Sequence, residues 1–337
     1  MIIVLKAGAP QNQAAEIIKE LEAKNLTPMP MYGVERTVIA VIGEERDIDV
    51  NHLESLPGVE KVMRVVKPYK LVSREVKPES TVIDVNGVKI GSDHLCMMAG
   101  PCSVESAEQM EAAAKPLAAL GVKILRGGAF KPRTGPYSFQ GLGKEGLDIL
   151  RETADRHGMA TITEVLDVRH LDMICQKSDM LQVGARNMQN FELLKEIGLT
   201  KKPVMLKRGM NATIEEFLLA AEYILSKGNP NVILCERGIR TFEKGTRNTL
   251  ALATVPQVKE LSHLPIIVDP THGTGKKNLI LPMSKAAIAC GADGLMIEVH
   301  PNPSEALSDA QQQFTPEEFK NVYKELDPIA KAVNRSF

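Results

Sequence analysis

No apolar run in this chain of 337 residues approaches the roughly 20 that cross a bilayer, so no membrane attachment is expected. The apolar start at residues 1–5 stops at Lys6 with no charged region before it, which argues against a signal peptide. Charge of one sign is missing too: 41 Lys and Arg against 42 Asp and Glu leave a formal net charge of −1. No global field recruits nucleic acid, and any basic patch must be local. Nor do the five cysteines (Cys96, Cys102, Cys175, Cys235, Cys290) contain a C-x-x-C pair. That odd, scattered set argues against a zinc ribbon or a disulfide framework and reads as reduced thiols, mostly in the core, of a cytoplasmic protein. What remains, 44% hydrophobic and 25% charged residues, is ordinary for a soluble chain with one large domain and a small one.

Residues 1–70 read as a unit of their own. Strand patterns at 2–5, 37–42 and 59–66, a weaker one at 28–31, and helical faces at 14–21 and 52–56 give the order β-α-β-β-α-β of a ferredoxin-like domain. Residues 71–94 form a linker, in which Asn86-Gly87 amid alternating residues predicts a tight hairpin. From 95 to 337, strand-like runs alternate with helical patterns such as 106–120, 144–157, 214–224, 248–261 and 315–333. The runs lie at 95–99, 122–125, 160–164, 180–183, 203–206, 232–235, 266–268 and 294–298. Eight such units predict an α/β fold, a closed (β/α)8 barrel, with a doubly wound open sheet as the alternative.

In a barrel, chemistry gathers where strands end. Those ends carry, in order, Cys102, Arg126, Glu164, Arg186, Lys207-Arg208, Glu236-Arg237, Asp269 with His272, and Glu298 with His300. The stretch 125–134 is the densest, with Arg126, Gly127-Gly128, Lys131-Pro132-Arg133 and Thr134 following one apolar run. Taken singly, each Lys or Arg is a surface charge and His272 an ordinary histidine. Brought to one face, Arg126, Lys131, Arg133, Arg186, Lys207 and Arg237 demand anions between them, so the expected ligand carries phosphate and a carboxylate or a second phosphate. Cys102, His272, Glu298 and Asp309 would together suit a divalent ion: Mn²⁺, Fe²⁺, Co²⁺ or Zn²⁺. A G-x-G-x-x-G match at 141–146 has no strand leading into it, and residues 273–277 lack parts of a P-loop, so nucleotide binding is unsupported.

These residues, with the surrounding Ala99-Gly100-Pro101-Cys102-Ser103, Gly184-Ala185-Arg186-Asn187, Cys235-Glu236-Arg237-Gly238, Asp269-Pro270-Thr271-His272 and Glu298-Val299-His300, resemble 3-deoxy-D-arabino-heptulosonate-7-phosphate (DAHP) synthases of the short microbial type. The resemblance implies condensation of phosphoenolpyruvate with erythrose 4-phosphate and water, at the entry to the shikimate pathway. It places Arg126, Lys131, Ala185, Arg186, Lys207 and Arg237 at phosphoenolpyruvate, and Arg133 and Thr134 at the aldehyde's phosphate. Cys102, His272, Glu298 and Asp309 become ion ligands, Lys131 a proton donor and Glu164 the residue that orients water. A homotetramer, with an aromatic amino acid as candidate effector of the small domain, is also implied.

A related family makes 3-deoxy-D-manno-octulosonate 8-phosphate from arabinose 5-phosphate, and its corresponding loop reads like Ala-Asn-Arg. Pro132-Arg133 together with Cys102 favours the four-carbon aldehyde here. Two departures stand out. Gly135 occupies a place usually held by Ser or Thr. Residues 28–31, Pro-Met-Pro-Met, offer no polar side chain on the expected edge strand, so weakened or altered inhibition by tyrosine and phenylalanine is expected.

Overall fold

The computed structural model describes residues 1–33, 36–43, 48–63 and 68–337. These form two compact units, one of residues 1–79 with 261–263 and one of 80–260 with 264–337. Among the described residues no helix is long and apolar enough to cross a membrane.

In the first unit, strand β1 (Ile2–Leu5) leads to helix Gln11–Ala23, β2 (Thr27–Tyr32), β3 (Thr37–Ile42), helix Val50–Ser55 and β4 (Val59–Met63). The antiparallel sheet runs β2-β3-β1-β4, the ferredoxin-like arrangement expected. Alternation sends Ile3, Leu5, Ile39 and Val41 to one face, where they form a core with Ile17, Leu21 and Leu53 of the helices. The edge strand β2 carries Pro28 and Pro30 opposite Val41 and Ile39. Of the last strand expected at 59–66, Val59–Met63 is present; residues 64–66 lie outside the described residues.

The second unit opens with a hairpin, β5 (Ile83–Val85) and β6 (Val88–Ile90). Asn86 and Gly87 at its tip have φ of 51° and 86°, as a two-residue turn that follows the strand twist requires. The Asp84 carboxylate accepts the Gly87 N–H at 2.7 Å. Eight parallel strands follow: β7 (Cys96–Gly100), β8 (Ile124–Arg126), β9 (Ala160–Glu164), β10 (Met180–Val183), β11 (Val204–Lys207), β12 (Val232–Glu236), β13 (Ile266–Val268) and β14 (Gly294–Glu298). Each pairs with the next and β14 returns to β7, so the sheet closes and the open-sheet alternative is excluded.

Ile83, Val85 and Ile90 of the hairpin pack with Cys96, Ile124, Ala160 and Met180, the first residues of their strands. The hairpin therefore plugs the N-terminal mouth, and the site must lie at the other end. The same layer holds Met98, Met205 and Met296, whose flexible side chains fill irregular space without aromatic rings.

Two expectations need correction. The helix foreseen over 248–261 begins only at Thr254, because Asn248 donates its side-chain amide to the His272 carbonyl and Thr249 pairs with Ile239. Cys175, on helix Leu171–Lys177, and Cys290, just past the end of helix Lys277–Ala289, are half-buried rather than in the core, although no cysteine is paired. Helices Leu171–Lys177, Phe191–Leu199 and Lys277–Ala289 complete the ring.

Candidate active site

Strand β7 ends at Gly100, with φ 149°. A Cβ there would run into the Arg126 carbonyl oxygen, so glycine lets β7 and β8 approach and carries Pro101-Cys102 across the barrel top. Cys102 meets His272, Glu298 and Asp309 there, with one ligating atom from each lying within 4.8 Å of all the others. Asp269, at the end of β13, caps helix Pro270–Thr274. Its Oδ1 accepts the His272 N–H at 2.9 Å and its Oδ2 faces His272 Nδ1 at 2.7 Å. That contact commits Nδ1 as donor and leaves Nε2 free, 3.3 Å from Glu298 and 3.7 Å from Asp309. Asp309 adopts a left-handed backbone, φ 47°, which few residues other than Gly, Asn and Asp adopt readily.

The donor set fits a divalent ion. Two carboxylates, an imidazole nitrogen and a thiol match borderline transition ions better than Mg²⁺ or Ca²⁺, which prefer oxygen alone. The charges are consistent with this. Burial pushes the Cys102 thiol up to about 11, with Glu298 adding to the effect, so Cys102 is a thiol until an ion displaces its proton. Burial opposes ionisation of Glu298 and Asp309 as well. His272 with Arg126 outweighs it at Glu298, and His272 with Arg247 at Asp309; both carboxyls stay below their usual range.

Beside the quartet opens a pocket of about 280 Å³, at the small end of ligand clefts and overwhelmingly polar. Arg126, Lys131, Arg133, Thr134, Ala185, Arg186, Lys207, Arg237 and Glu164 all line it, as do His272 and Asp309. Arg126 is 4% exposed; its Nη1 donates to the Pro101 carbonyl at 2.7 Å and to Glu298 at 2.9 Å. Lys131 Nζ donates to the Cys102 carbonyl at 2.8 Å and lies 3.1 Å from Sγ, between quartet and pocket. Lys207 Nζ donates to Asp269 at 2.6 Å. Arg126 Nε and Arg237 Nη1 are buried with no partner among the described residues. Leaving such donors unmet costs roughly 1–3 kcal/mol each, which an anion in the pocket would recover. Burial lowers the affinity of Arg237 for its proton, and Arg247 and Arg186 add repulsion: the wall is short of negative charge.

Glu164 accepts from the Gln182 amide at 3.2 Å, and a Cβ on Gly184 would overlap its Oε1. Not every strand-end residue belongs here. Arg208 turns behind the wall to Glu236, at 2.9 Å, and Thr254; His300 turns to Glu105, at 3.3 Å. Sequence reasoning missed three pocket residues, Ser138, Gln182 and Arg247, and gave Gly184 no role beyond its place in a motif. Gln182 could have been found as the one polar residue of its run, and Arg247 was passed over because it adjoins a helix drawn too long. Ser138 bears on Gly135: its Oγ lies 3.3 Å from where a Cβ on Gly135 would stand. The hydroxyl missing at 135 thus has a near neighbour.

Known proteins are similar to this chain along most of its length. The model of the DAHP synthetase I family matches residues 75–333, and that of the DAHP synthase ferredoxin-like domain matches residues 1–67. A phospho-2-dehydro-3-deoxyheptonate aldolase of Thermotoga maritima is 53% identical over 333 residues, covering 99% of this chain and 98% of the relative. A crystal structure of the Thermotoga maritima phospho-2-dehydro-3-deoxyheptonate aldolase (DAHP synthase) superposes with a TM-score of 0.80 at 52% identity, covering 99% of this chain and 98% of its own. A 2-dehydro-3-deoxyphosphooctonate aldolase of Francisella tularensis subsp. holarctica is more distant, at 29% identity over 70% of this chain and 92% of its own. With the barrel, the small antiparallel domain and matches along nearly its whole length, this chain belongs to the DAHP synthase family.

Proposed function

We propose that the pocket joins phosphoenolpyruvate to D-erythrose 4-phosphate, with water, giving DAHP and phosphate, the first step of the shikimate pathway. The observation that carries this reading is a four-donor ion cluster opening directly onto a wall of cations drawn from four strand ends. Arg126, Lys131, Arg186, Lys207 and Arg237, with Ala185 beside them, hold the phosphate and carboxylate of phosphoenolpyruvate. Arg133 and Thr134, on the more open loop, hold the aldehyde's phosphate. Cys102, His272, Glu298 and Asp309 would hold one divalent ion, of the Mn²⁺, Fe²⁺, Co²⁺ or Zn²⁺ class, whose Lewis acidity would favour negative charge on an aldehyde oxygen.

The protein's own groups do the rest. Fixed cations bring two anions into attacking distance and offset their repulsion. As the bond forms between C3 of the enol and the aldehyde carbon, Lys131 gives a proton to the new alkoxide. Glu164, oriented by Gln182, takes a proton from the water that adds at C2, and phosphate then leaves from C2.

Choice of aldehyde is the direct test. The 29%-identical relative is named for the octonate, so the branch matters. Pro132 and Arg133 both line the pocket, and the proline restricts the loop where the other branch has an asparagine. With phosphoenolpyruvate saturating, kcat/KM for erythrose 4-phosphate is expected to exceed that for arabinose 5-phosphate by at least about 100-fold, the scale set by a site built for one polar ligand. Equal or reversed values would assign the chain to the other branch.

The division of labour follows the sequence: residues 1–70 for regulation or assembly, 71–94 as linker and hairpin, 95–337 for catalysis. The enzyme is placed in the cytoplasm as a homotetramer, which a solution mass of four chains would bear out. An aromatic amino acid remains the candidate effector, but residues 28–31 of β2 are Pro-Met-Pro-Met, and only Thr27 and Tyr32 at the strand's ends carry a hydroxyl where ammonium, carboxylate or phenol would need partners. Weakened or altered inhibition by micromolar tyrosine and phenylalanine is expected, since residues 28–31 offer no side chain for a charge-assisted hydrogen bond; strong inhibition by tyrosine would sink this.

A further inference from the structure

Each ligand of the quartet is already matched to a cation of the pocket. Glu298 holds Arg126, Cys102 faces Lys131, His272 reaches Lys207 through Asp269, and Asp309 holds Arg247. Three of these cations are buried and fixed by a second bond or a fully buried partner. Arg247 differs. Its side chain is 40% exposed and its Nη1 lies 3.4 Å from Asp309 Oδ1, with a second perch on Gln312 Oε1 at 3.2 Å. A half-exposed pair at that distance is weak, whereas the buried Arg126–Glu298 pair at 2.9 Å is costly to part.

Only the head of Arg247 is free to move. Its N–H donates to the Thr274 carbonyl at 2.9 Å, and the next residue, Asn248, bonds the Gly273 and His272 carbonyls. Gly275, left-handed at φ 63°, makes room for the stem: a Cβ there would stand 2.6 Å from Arg247 Cβ. The guanidinium therefore pivots on the helix that carries His272, at the edge of a pocket lined by Arg186 and Arg237.

We propose that Arg247 is a positioning residue that gives up Asp309 to the divalent ion and turns to the substrate's anionic groups, so that ion and phosphoenolpyruvate tighten each other's binding. The inference rests on the quartet being an ion site. An ion on Asp309 weakens that carboxylate's hold on the guanidinium and repels it toward the pocket. An anion in the pocket draws the guanidinium off Asp309 and frees a ligand. The two effects are one coupling, equal in both directions.

The test is equilibrium Mn²⁺ binding to the full chain, read from the paramagnetic resonance signal of free Mn²⁺, with and without phosphoenolpyruvate and with no aldehyde present. Wild-type protein is expected to bind Mn²⁺ about 10-fold tighter with phosphoenolpyruvate, within the usual span of such couplings. Arg247→Gln is expected to bind Mn²⁺ alone severalfold tighter than wild type, because the competing cation is gone, and to lose most of the response to phosphoenolpyruvate. Arg247→Lys, which keeps the charge, restores part of that response. A glutamine variant with wild-type Mn²⁺ affinity and wild-type response overturns the proposal, as does one that binds Mn²⁺ more weakly. A wild-type chain that takes up no Mn²⁺ overturns it together with the ion-site reading.

Discussion

Treatment with EDTA is expected to lower DAHP formation by at least about 100-fold, and Mn²⁺ to restore it. The expectation rests on how poorly the quartet balances itself. Glu298 is fully buried and ionised, Asp309 is ionised beside it, and Asp269 lies one bond behind His272, held well below the usual range by His272 and Lys207 against its burial. Without an ion, these carboxylates draw on the cations that line the pocket. Because the Cys102 thiol sits near 11, ion uptake must release its proton, so ion affinity falls as pH drops. Cys102→Ala removes that ligand, and uptake should weaken with it. The check is activity in protein shown by elemental analysis to be metal-free. An undiminished rate there would exclude a role for the ion.

Replacing Lys131 with methionine is expected to cut kcat/KM by about 10³–10⁴-fold, or about 4–5 kcal/mol of transition-state stabilisation. Methionine keeps the bulk of the stem, so the loss isolates the ammonium. Lys131 is 8% exposed and lines the pocket, with its ammonium bonded to the Cys102 carbonyl and 3.1 Å from the thiol. The proposed mechanism gives it two roles, anion ligand and proton donor. The two roles separate in steady-state kinetics: a lost ligand raises the KM for phosphoenolpyruvate, while a lost proton donor lowers kcat. Lys131→Arg restores charge without a transferable proton, so it should recover KM and leave kcat low. Wild-type kcat in either variant would remove Lys131 from the chemistry.

Much of the barrel was legible because period and punctuation agree there. The runs at 160–164, 180–183, 266–268 and 294–298 coincide with strands to the residue; each is a short, fully buried segment of three to five residues between helical patterns. Closure was not legible, because alternation of strand and helix is the same in an open sheet; it is set by the β14–β7 pairing of residues some 200 positions apart. Cys102, His272, Glu298 and Asp309 have no common spacing, and only closure brings them together. Arg247 was hidden for a different reason. Its place depends on backbone bonds to Thr274 and Gly273, which override an apparent helical pattern through 248–253. Arg208 follows Lys207 but faces away from the pocket, to Glu236 and Thr254, because adjacent residues of a strand point to opposite faces.

Pro28 and Pro30 reach beyond regulation. In an antiparallel ladder alternate residues turn their N–H groups to opposite sides, and β2 pairs with β3 along all six of its residues. Such a ladder tolerates prolines at alternate positions when both face the open side. On that side β2 then has carbonyls but no N–H at either position, so an incoming strand finds half a partner. The small sheet ends there by its own chemistry, which guards a short apolar domain against strand-by-strand aggregation.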